Sequence, residues 1–181
     1  MVNMEKEFIS KKGKKILFRP LKIADLPKTL KYINALSQED TFICLSGEVL
    51  TEEEERKFLE STEKELAEKK VVRLGAFFEG QLVGTCDIKR DRQRAGHTGT
   101  LGLMTAKGFR GEGIGRVLME YVLQLGKEYM DLKIIKLGVF AINEKALKLY
   151  QKLGFHEYGR LPKGILYKGE YIDHIFMYKE I

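Results

Sequence analysis

The residues best suited to chemistry lie together in Phe109-Arg110-Gly111-Glu112-Gly113-Ile114-Gly115-Arg116. Glycines at 111, 113 and 115 leave a turn free of side-chain bulk. An amphipathic stretch follows at once and reads as a helix. Backbone N–H groups of the turn and of the helix's first residues can close around an anion, because a helix N-terminus carries unpaired donors and a partial positive charge. Arg110 and Arg116 add formal charge at the two ends. The pattern predicts a phosphate or pyrophosphate cradle.

Two phosphate loops fail on inspection. Gly108 and Gly113 have the separation of a P-loop, but Ile114 and Gly115 stand where its Lys and Ser/Thr belong. Gly111 and Gly113 fit the start of a dinucleotide fingerprint, but Arg116 replaces the third glycine. Asp131 lies at the right distance for the ribose acid, yet it precedes the next strand instead of ending it.

The elements that must hold this loop follow from periodicity. Residues 16–19 read as a strand closed by Pro20, and 23–37 as a helix with Pro27 in its first turn, where proline is tolerated. Residues 1–15 are polar and Lys-rich and are expected to fray. Residues 38–50 show no period; their Phe42-Ile43-Cys44-Leu45 either packs down or lines a pocket. Thr51 and Glu54 form a capping box for a helix to about residue 69, with acids in its first turn. Residues 71–78 and 82–89 read as a hairpin around Glu79-Gly80-Gln81, and 98–105 as a third strand. Ile114, Val117, Leu118, Tyr121, Val122 and Leu125 mark one buried face of a helix over 113–129. A strand over 133–140 precedes a helix capped by Asn143 and stopped at Gly154. Residues 155–157 and 171–178 close the chain as strands. The predicted class is α/β: one domain over 1–181, with a mixed, mostly antiparallel sheet of six to seven strands and helices on both faces.

Composition bounds the rest. The 181 residues, 44% hydrophobic, suffice for one sizeable core. A net charge of +6, scattered among acids, argues against nucleic acid and suits an anionic ligand. No secretory segment is evident, and no apolar run approaches the ~18 residues of a membrane span. Cys44 and Cys86 fit a reducing, cytoplasmic setting. Three histidines and two cysteines show no metal-ligand spacing.

A second segment, Asn143-Glu144-Lys145-Ala146-Leu147-Lys148-Leu149-Tyr150-Gln151-Lys152-Leu153-Gly154-Phe155, reads alone as a capped helix with a half-buried tyrosine. Taken with Arg110-Gly111-Glu112-Gly113-Ile114-Gly115 it resembles the GNAT superfamily of acyl-CoA-dependent N-acetyltransferases. Loop, helix segment and element order match over roughly residues 74–155. The stretch Gly159 to Met177 resembles, more weakly, the branch acting on amino acids, polyamines, small amines or protein N-termini.

The resemblance implies acetyl-CoA as cosubstrate and no metal. It also implies two strands that splay into a gap for the pantetheine arm, which pairs with main chain near Leu103, Met104 and Thr105. The pyrophosphate would rest on Arg110, Gly111, Gly113, Ile114, Gly115 and Arg116. Asn143 would touch the cofactor arm as well as cap its helix. Lys107 stands where the family often has proline, which leaves backbone binding intact and adds a cation. Tyr150 is implied as the general acid for the leaving thiolate, and an N–H near Met104 as the donor to the developing oxyanion.

An ammonium must first lose a proton, since its reference pKa is about 10. The strand where the family often carries a glutamate has no carboxylate here, so Asp87 acting through a water is the leading base; His97, His174 and Asp173 are weaker candidates. The expected acceptor is a primary amine of a small molecule or amino acid. A protein N-terminus, or a non-catalytic acyl-CoA sensor, is the alternative, and the resemblance leaves a homodimer open.

Overall fold

A computed structural model describes residues 4–181; residues 1–3, part of the stretch expected to fray, lie outside it. The rest of that stretch is more ordered than its polarity suggests. β1 (Lys6–Ile9) pairs antiparallel with β2 (Lys15–Pro20), from Lys6↔Phe18 to Ile9↔Lys15. Phe8 holds the hairpin down by stacking on Phe18 at 6.0 Å.

A single turn of 3-10 helix over Ile23–Asp25 leads into α1 (Leu26–Gln38), with Pro27 in its first turn. α2 (Glu52–Ala67) starts from the expected capping box. Glu54 N–H donates to Thr51 Oγ1 at 3.3 Å, and Thr51 N–H donates back to the Glu54 carboxylate at 2.8 Å. β3 (Val71–Phe78) and β4 (Gln81–Arg90) are joined by Glu79 and Gly80 alone, both at positive φ (47° and 77°), the turn that matches strand twist. β5 (Thr98–Thr105), α3 (Ile114–Glu128) and β6 (Ile134–Phe140) form a β-α-β unit; α4 (Glu144–Lys152) follows.

The closing strands are longer than the sequence suggested. β7 (His156–Tyr167) and β8 (Glu170–Glu180) meet at Lys168-Gly169, again at positive φ. β7 is exposed almost throughout, so it carries no period-two apolar signal, and its pairing slips near Glu157/Gly159 and Leu161/Ile165. With β1 and the full β7, the sheet has eight strands in the order β1-β2-β3-β4-β5-β6-β8-β7, against the six to seven expected.

Helices cover both faces. Ile114, Leu118, Val122 and Leu125 of α3 and Tyr150 of α4 pack with Val72, Leu74, Cys86, Ile88, Leu101 and Leu137. On the other face Leu26, Tyr32 and Leu36 of α1 and Leu59 of α2 pack with Leu21, Phe77 and Leu82.

β5 and β6 are the parallel pair. They are in register only at Thr98↔Ile134, Gly99↔Ile135 and Thr100↔Lys136. Beyond that point β5 stays with β4 as far as Gly84↔Thr105, and β6 stays with β8 as far as Phe140↔His174. A gap therefore opens between Leu101–Thr105 and Leu137–Phe140. The backbone edges lining it have lost their strand partner and need another.

Candidate active site

The glycine turn closes the wide end of the gap. Gly111 and Gly113 have φ of +78° and +88°, which a Cβ would strain. Gly113 is the N-cap of α3 and no side chain caps that helix, so its first N–H groups are available to an anion. A Cβ on Gly115 would sit 3.3 Å from Thr105 Oγ1 and 3.6 Å from Leu103; glycine there lets the helix start hard against β5. Ile114 is buried and anchors the turn. Arg116 lies on the surface, bonded to Glu120 at 2.9 Å.

An acid inside an anion cradle has the wrong sign, and the structure resolves that conflict. The Glu112 side chain is fully buried and paired with residues of the β1–β2 hairpin. It accepts from Lys14 Nζ at 2.7 Å and Ser10 Oγ at 3.0 Å, with Lys12 Nζ at 3.4 Å. Its carbonyl accepts from Lys11 N–H at 3.0 Å. These partners, Lys14 foremost, hold its carboxyl below the usual range. Sequence reasoning missed Glu112 as a structural residue, because its partners lie about a hundred positions away. Arg110, expected as a phosphate ligand, donates Nε to the Thr105 carbonyl at 2.9 Å and spans the Glu39 carboxylate. Lys107 sits in the 3-10 turn Lys107–Phe109 between β5 and the cradle.

Leu103, Met104 and Thr105 line the β5 edge of the gap. Asn143 is the N-cap of α4, its Oδ1 accepting from Ala146 N–H at 3.2 Å. Seven residues on, Tyr150 is buried, with its ring 6.1 Å from Phe155. Burial, and then the neighbouring Cys86 thiol, push its phenol up to about 12. Cys86 is paired with Leu103 across β4 and β5, which ties Tyr150 to the level of the gap.

Asp87 is the next residue along β4, so its side chain points to the opposite face. It is paired with Gly102. A Cβ on Gly102 would be 3.2 Å from Asp87 Oδ1, so this oxygen lies over a position free of side chain. The other oxygen accepts from Arg73 Nη2 at 3.3 Å. Arg73 in turn donates to Thr62 Oγ1 at 2.6 Å and lies 4.3 Å from the Phe58 ring centre. Burial raises the Asp87 carboxyl pKa despite the opposing pull of Arg73.

The weaker base candidates are placed less well. His97 precedes β5 at the closed end, its carbonyl accepting from Lys133 N–H at 2.8 Å. Asp173 accepts from Lys163 N–H at 3.0 Å and from Arg160. His174 lies over Gly138 of β6 beside Phe176, and burial lowers its pKa.

The loop between α1 and α2 covers the far side of the gap. Phe42, Phe140 and Tyr167 form a triangle with centroids 5.2 to 5.9 Å apart. Tyr167 Oη donates to the Asp40 carbonyl at 3.1 Å. A cavity of about 430 Å³ opens here, lined by Asp40, Ile43, Cys44, Phe140, Ile165 and Tyr167. Within the apolar loop, Phe42 packs on Phe140 and Tyr167 while Ile43, Cys44 and Leu45 line the cavity. Among the described residues no group of three or more His, Cys, Asp or Glu could hold a metal ion, and no helix is long and apolar enough to cross a membrane.

A strand pair that opens into a gap with an uncapped glycine cradle at its mouth is the arrangement that the resemblance to acyl-CoA-dependent acyltransferases implies. The sequence profile of the acetyltransferase (GNAT) family matches residues 32–155, and the chain belongs to that family; it is an acetyl-CoA-dependent acyltransferase. It is similar to the L-amino acid N-acetyltransferase AaaT of Escherichia coli K12, 30% identical over 109 residues that cover 59% of this chain and 67% of that one. Among solved structures it resembles a GNAT-family acetyltransferase from Streptococcus pneumoniae, with TM-score 0.84 and 29% identity over 92% of this chain and 99% of that one. It also resembles the ribosomal-protein-alanine N-acetyltransferase of Brucella melitensis, with TM-score 0.79 and 26% identity over 91% of this chain and 99% of that one.

The residues present fit acetyl-CoA. The cradle is one that a Cβ at Gly111 or Gly113 would strain, its only acid is ion-paired with Lys14, and the edge of β5 beyond Thr100 has no strand partner on the β6 side.

Proposed function

We propose that the protein moves the acetyl group of acetyl-CoA to a primary amine of a small molecule or amino acid by direct attack, within one domain spanning 1–181. The observation that carries this reading is the placement of Tyr150 and Asp87. Asp87 pairs with Gly102 one rung from Cys86↔Leu103, and Tyr150 of α4 shares the core with Cys86 on the opposite face of the sheet. An acid on one face and a base on the other suit a reaction in which thioester and amine meet through the gap.

Acetyl-CoA supplies an activated acyl carbon on a thiolate leaving group. The N–H groups of Gly111, Gly113, Ile114, Gly115 and Arg116 bind and orient its pyrophosphate, Arg110 shaping the same turn. Main chain of Leu103 and Thr105 pairs with the arm, Asn143 steadies it, and an N–H near Met104 stabilises charge on the carbonyl oxygen. Asp87 Oδ1 takes the ammonium proton through a water, its raised pKa bringing it closer to the operating pH. Tyr150 keeps its proton until the sulfur leaves, then donates it. Holding the two reactants in register contributes alongside this proton transfer.

The cavity lined by Ile43, Phe140 and Tyr167 supports an apolar or amphipathic acceptor of modest size. The similarity to an L-amino acid N-acetyltransferase supports the same class. A protein N-terminus is the second reading, favoured by the likeness to the Brucella enzyme. The presence of Tyr150 speaks against a non-catalytic sensor. The two unpaired cysteines support a reducing compartment such as the cytoplasm.

Release of free CoA from acetyl-CoA, measured across amino acids, polyamines, small amines and short peptides, tests this. Release with free amino acids or amines supports the first reading. Release only with peptides moves the acceptor to a protein N-terminus. Tight CoA binding with no release for any acceptor favours a sensor.

A further inference from the structure

Arg110 sits in the family's pyrophosphate motif, yet its side chain is turned elsewhere. All three guanidinium nitrogens are engaged: Nε with the Thr105 carbonyl at 2.9 Å, Nη2 with Glu39 Oε2 at 2.8 Å, and Nη1 with Glu39 Oε1. This is a fork-on-fork pair, which fixes orientation as well as distance.

Glu39 stands at a junction. It is the C-cap of α1, with its N–H bonded to the carbonyls of Ala35 and Leu36 at 3.2 Å. The next residue, Asp40, turns the chain at φ +47°, and its carbonyl takes the Tyr167 hydroxyl at 3.1 Å. Two residues later Phe42 meets Phe140 and Tyr167. Four links therefore run in series: the end of β5, Arg110, Glu39, and the wall of the acceptor cavity. The cradle and the acceptor loop lie 71 residues apart in sequence and are joined here by one ion pair.

We infer that Arg110 and Glu39 are positioning residues that tie the acceptor loop over 40–47 to the cofactor cradle, so that filling the cradle orders the acceptor wall. The inference rests on the acetyl-transfer reading for the identity of the two sites. It makes Arg110 a strut in place of the phosphate ligand implied by family resemblance. The pair is partly exposed, with side-chain accessibilities of 37% and 22%. Its contribution to global stability is therefore small, and its effect falls on the loop that starts at Glu39.

Cys44 supplies a readout that needs no acceptor. It lies exposed in this loop, while the other cysteine, Cys86, is buried. N-ethylmaleimide labelling of Cys44, located by mass spectrometry, would be followed with and without desulfo-CoA, which has no thiol to compete. Acetyl-CoA affinity would be measured in parallel by calorimetry. In the wild type, desulfo-CoA should slow labelling. In Glu39→Gln and in Arg110→Gln, labelling of the free protein should rise about fivefold, as loss of a bidentate pair of this exposure implies, and the slowing by desulfo-CoA should disappear. The double variant should match either single one. Arg110→Lys keeps the charge but loses the fork and should fall between. Acetyl-CoA affinity should change by less than about threefold in Glu39→Gln, since that residue touches no ligand.

Two results overturn the inference. One is unchanged Cys44 labelling in both single variants. The other is a tenfold or greater loss of acetyl-CoA affinity in Arg110→Gln with none in Glu39→Gln, which returns Arg110 to the phosphate. Coupled labelling in a protein that acetylates no amine would uphold the strut and remove the acetyl-transfer reading instead.

Discussion

Tyr150→Phe is the most direct test of the proposed chemistry. The phenol is pushed up to about 12 by burial and by Cys86. At pH 8 only about one molecule in 10⁴ would be ionised, against about one in 100 for an unshifted phenol with a reference pKa near 10. At pH 10 the contrast is about 1% against half. Wild-type kcat should therefore stay flat through pH 10 as far as this group is concerned. Removing a general acid costs roughly 10²–10⁴ in rate. A thiolate is already a fair leaving group, so the low end, about 10², is expected at saturating acceptor.

The ring still fills its place against Phe155, so unfolding stability near neutral pH should move by no more than ~1 kcal/mol. The sign of the pH dependence gives a further check. The folded state keeps this proton up to about 12, while the unfolded chain loses it near ~10. The associated stability is thus intact below pH 10 and lost toward pH 12 in the wild type, and absent from the variant. The assays are thiol release with a chromogenic disulfide, acetyl-CoA calorimetry and denaturant midpoints. A kcat within threefold of wild type, with unchanged affinity, would refute the acid role.

Three further outcomes follow from the geometry. Gly113→Glu should abolish measurable acetyl-CoA binding in calorimetry while far-UV circular dichroism stays native, because it strains φ +88° and puts a negative side chain at the uncapped start of α3. Asp87→Asn should lower kcat about 10²-fold and remove an acidic limb of the kcat/KM profile that sits above the ordinary carboxylate range; a retained limb assigns the base elsewhere. Glu112→Gln should weaken acetyl-CoA binding about tenfold by loosening the cradle from Ser10 and Lys14. Its carboxyl is held low, so the stability it contributes is present above the unfolded value near ~4.5 and lost as pH falls through the folded one. The midpoint of the wild type should fall on acidification more than that of the variant.

Much of the fold was legible where the signal was local. The period of α3, the Thr51–Glu54 box and the Glu79-Gly80 turn each rest on residues within a few positions of one another, and each is found as read. β1 was missed and β7 was read only at its first residues, for one reason. They are edge strands with little buried surface, so alternation is weak, and their pairing is set by Phe18 and by β8 rather than by their own residues. The parallel pair was expected, but that it would stop after three rungs was implied only by family resemblance.

The cradle's glycines were readable because a turn free of side chains needs them: Gly111 and Gly113 hold positive φ, and Gly115 lets the helix start against β5. The partners of its charged residues were not. Glu112 meets Ser10 and Lys14 across 102 and 98 positions, and Arg110 meets Glu39 across 71. A sequence window sees an acid and a base in a phosphate loop; only the folded chain shows that each is already spoken for.

The three rungs between Thr98–Thr100 and Ile134–Lys136 have a mechanical meaning. Two half-sheets, β1 to β5 and β6 to β8, are stitched at one end and open at the other, like a clothes-peg whose spring is α3. An arm lying along β5 would complete the hydrogen-bonding of a sheet that the polypeptide leaves unfinished. Rigidity then becomes a property of the loaded protein: at a hundredfold excess over Kd the ligand adds about 2.7 kcal/mol to unfolding. Amide exchange along 101–105 and 137–140 should slow in step with occupancy, so that the enzyme is stiffest at the moment its gap is full.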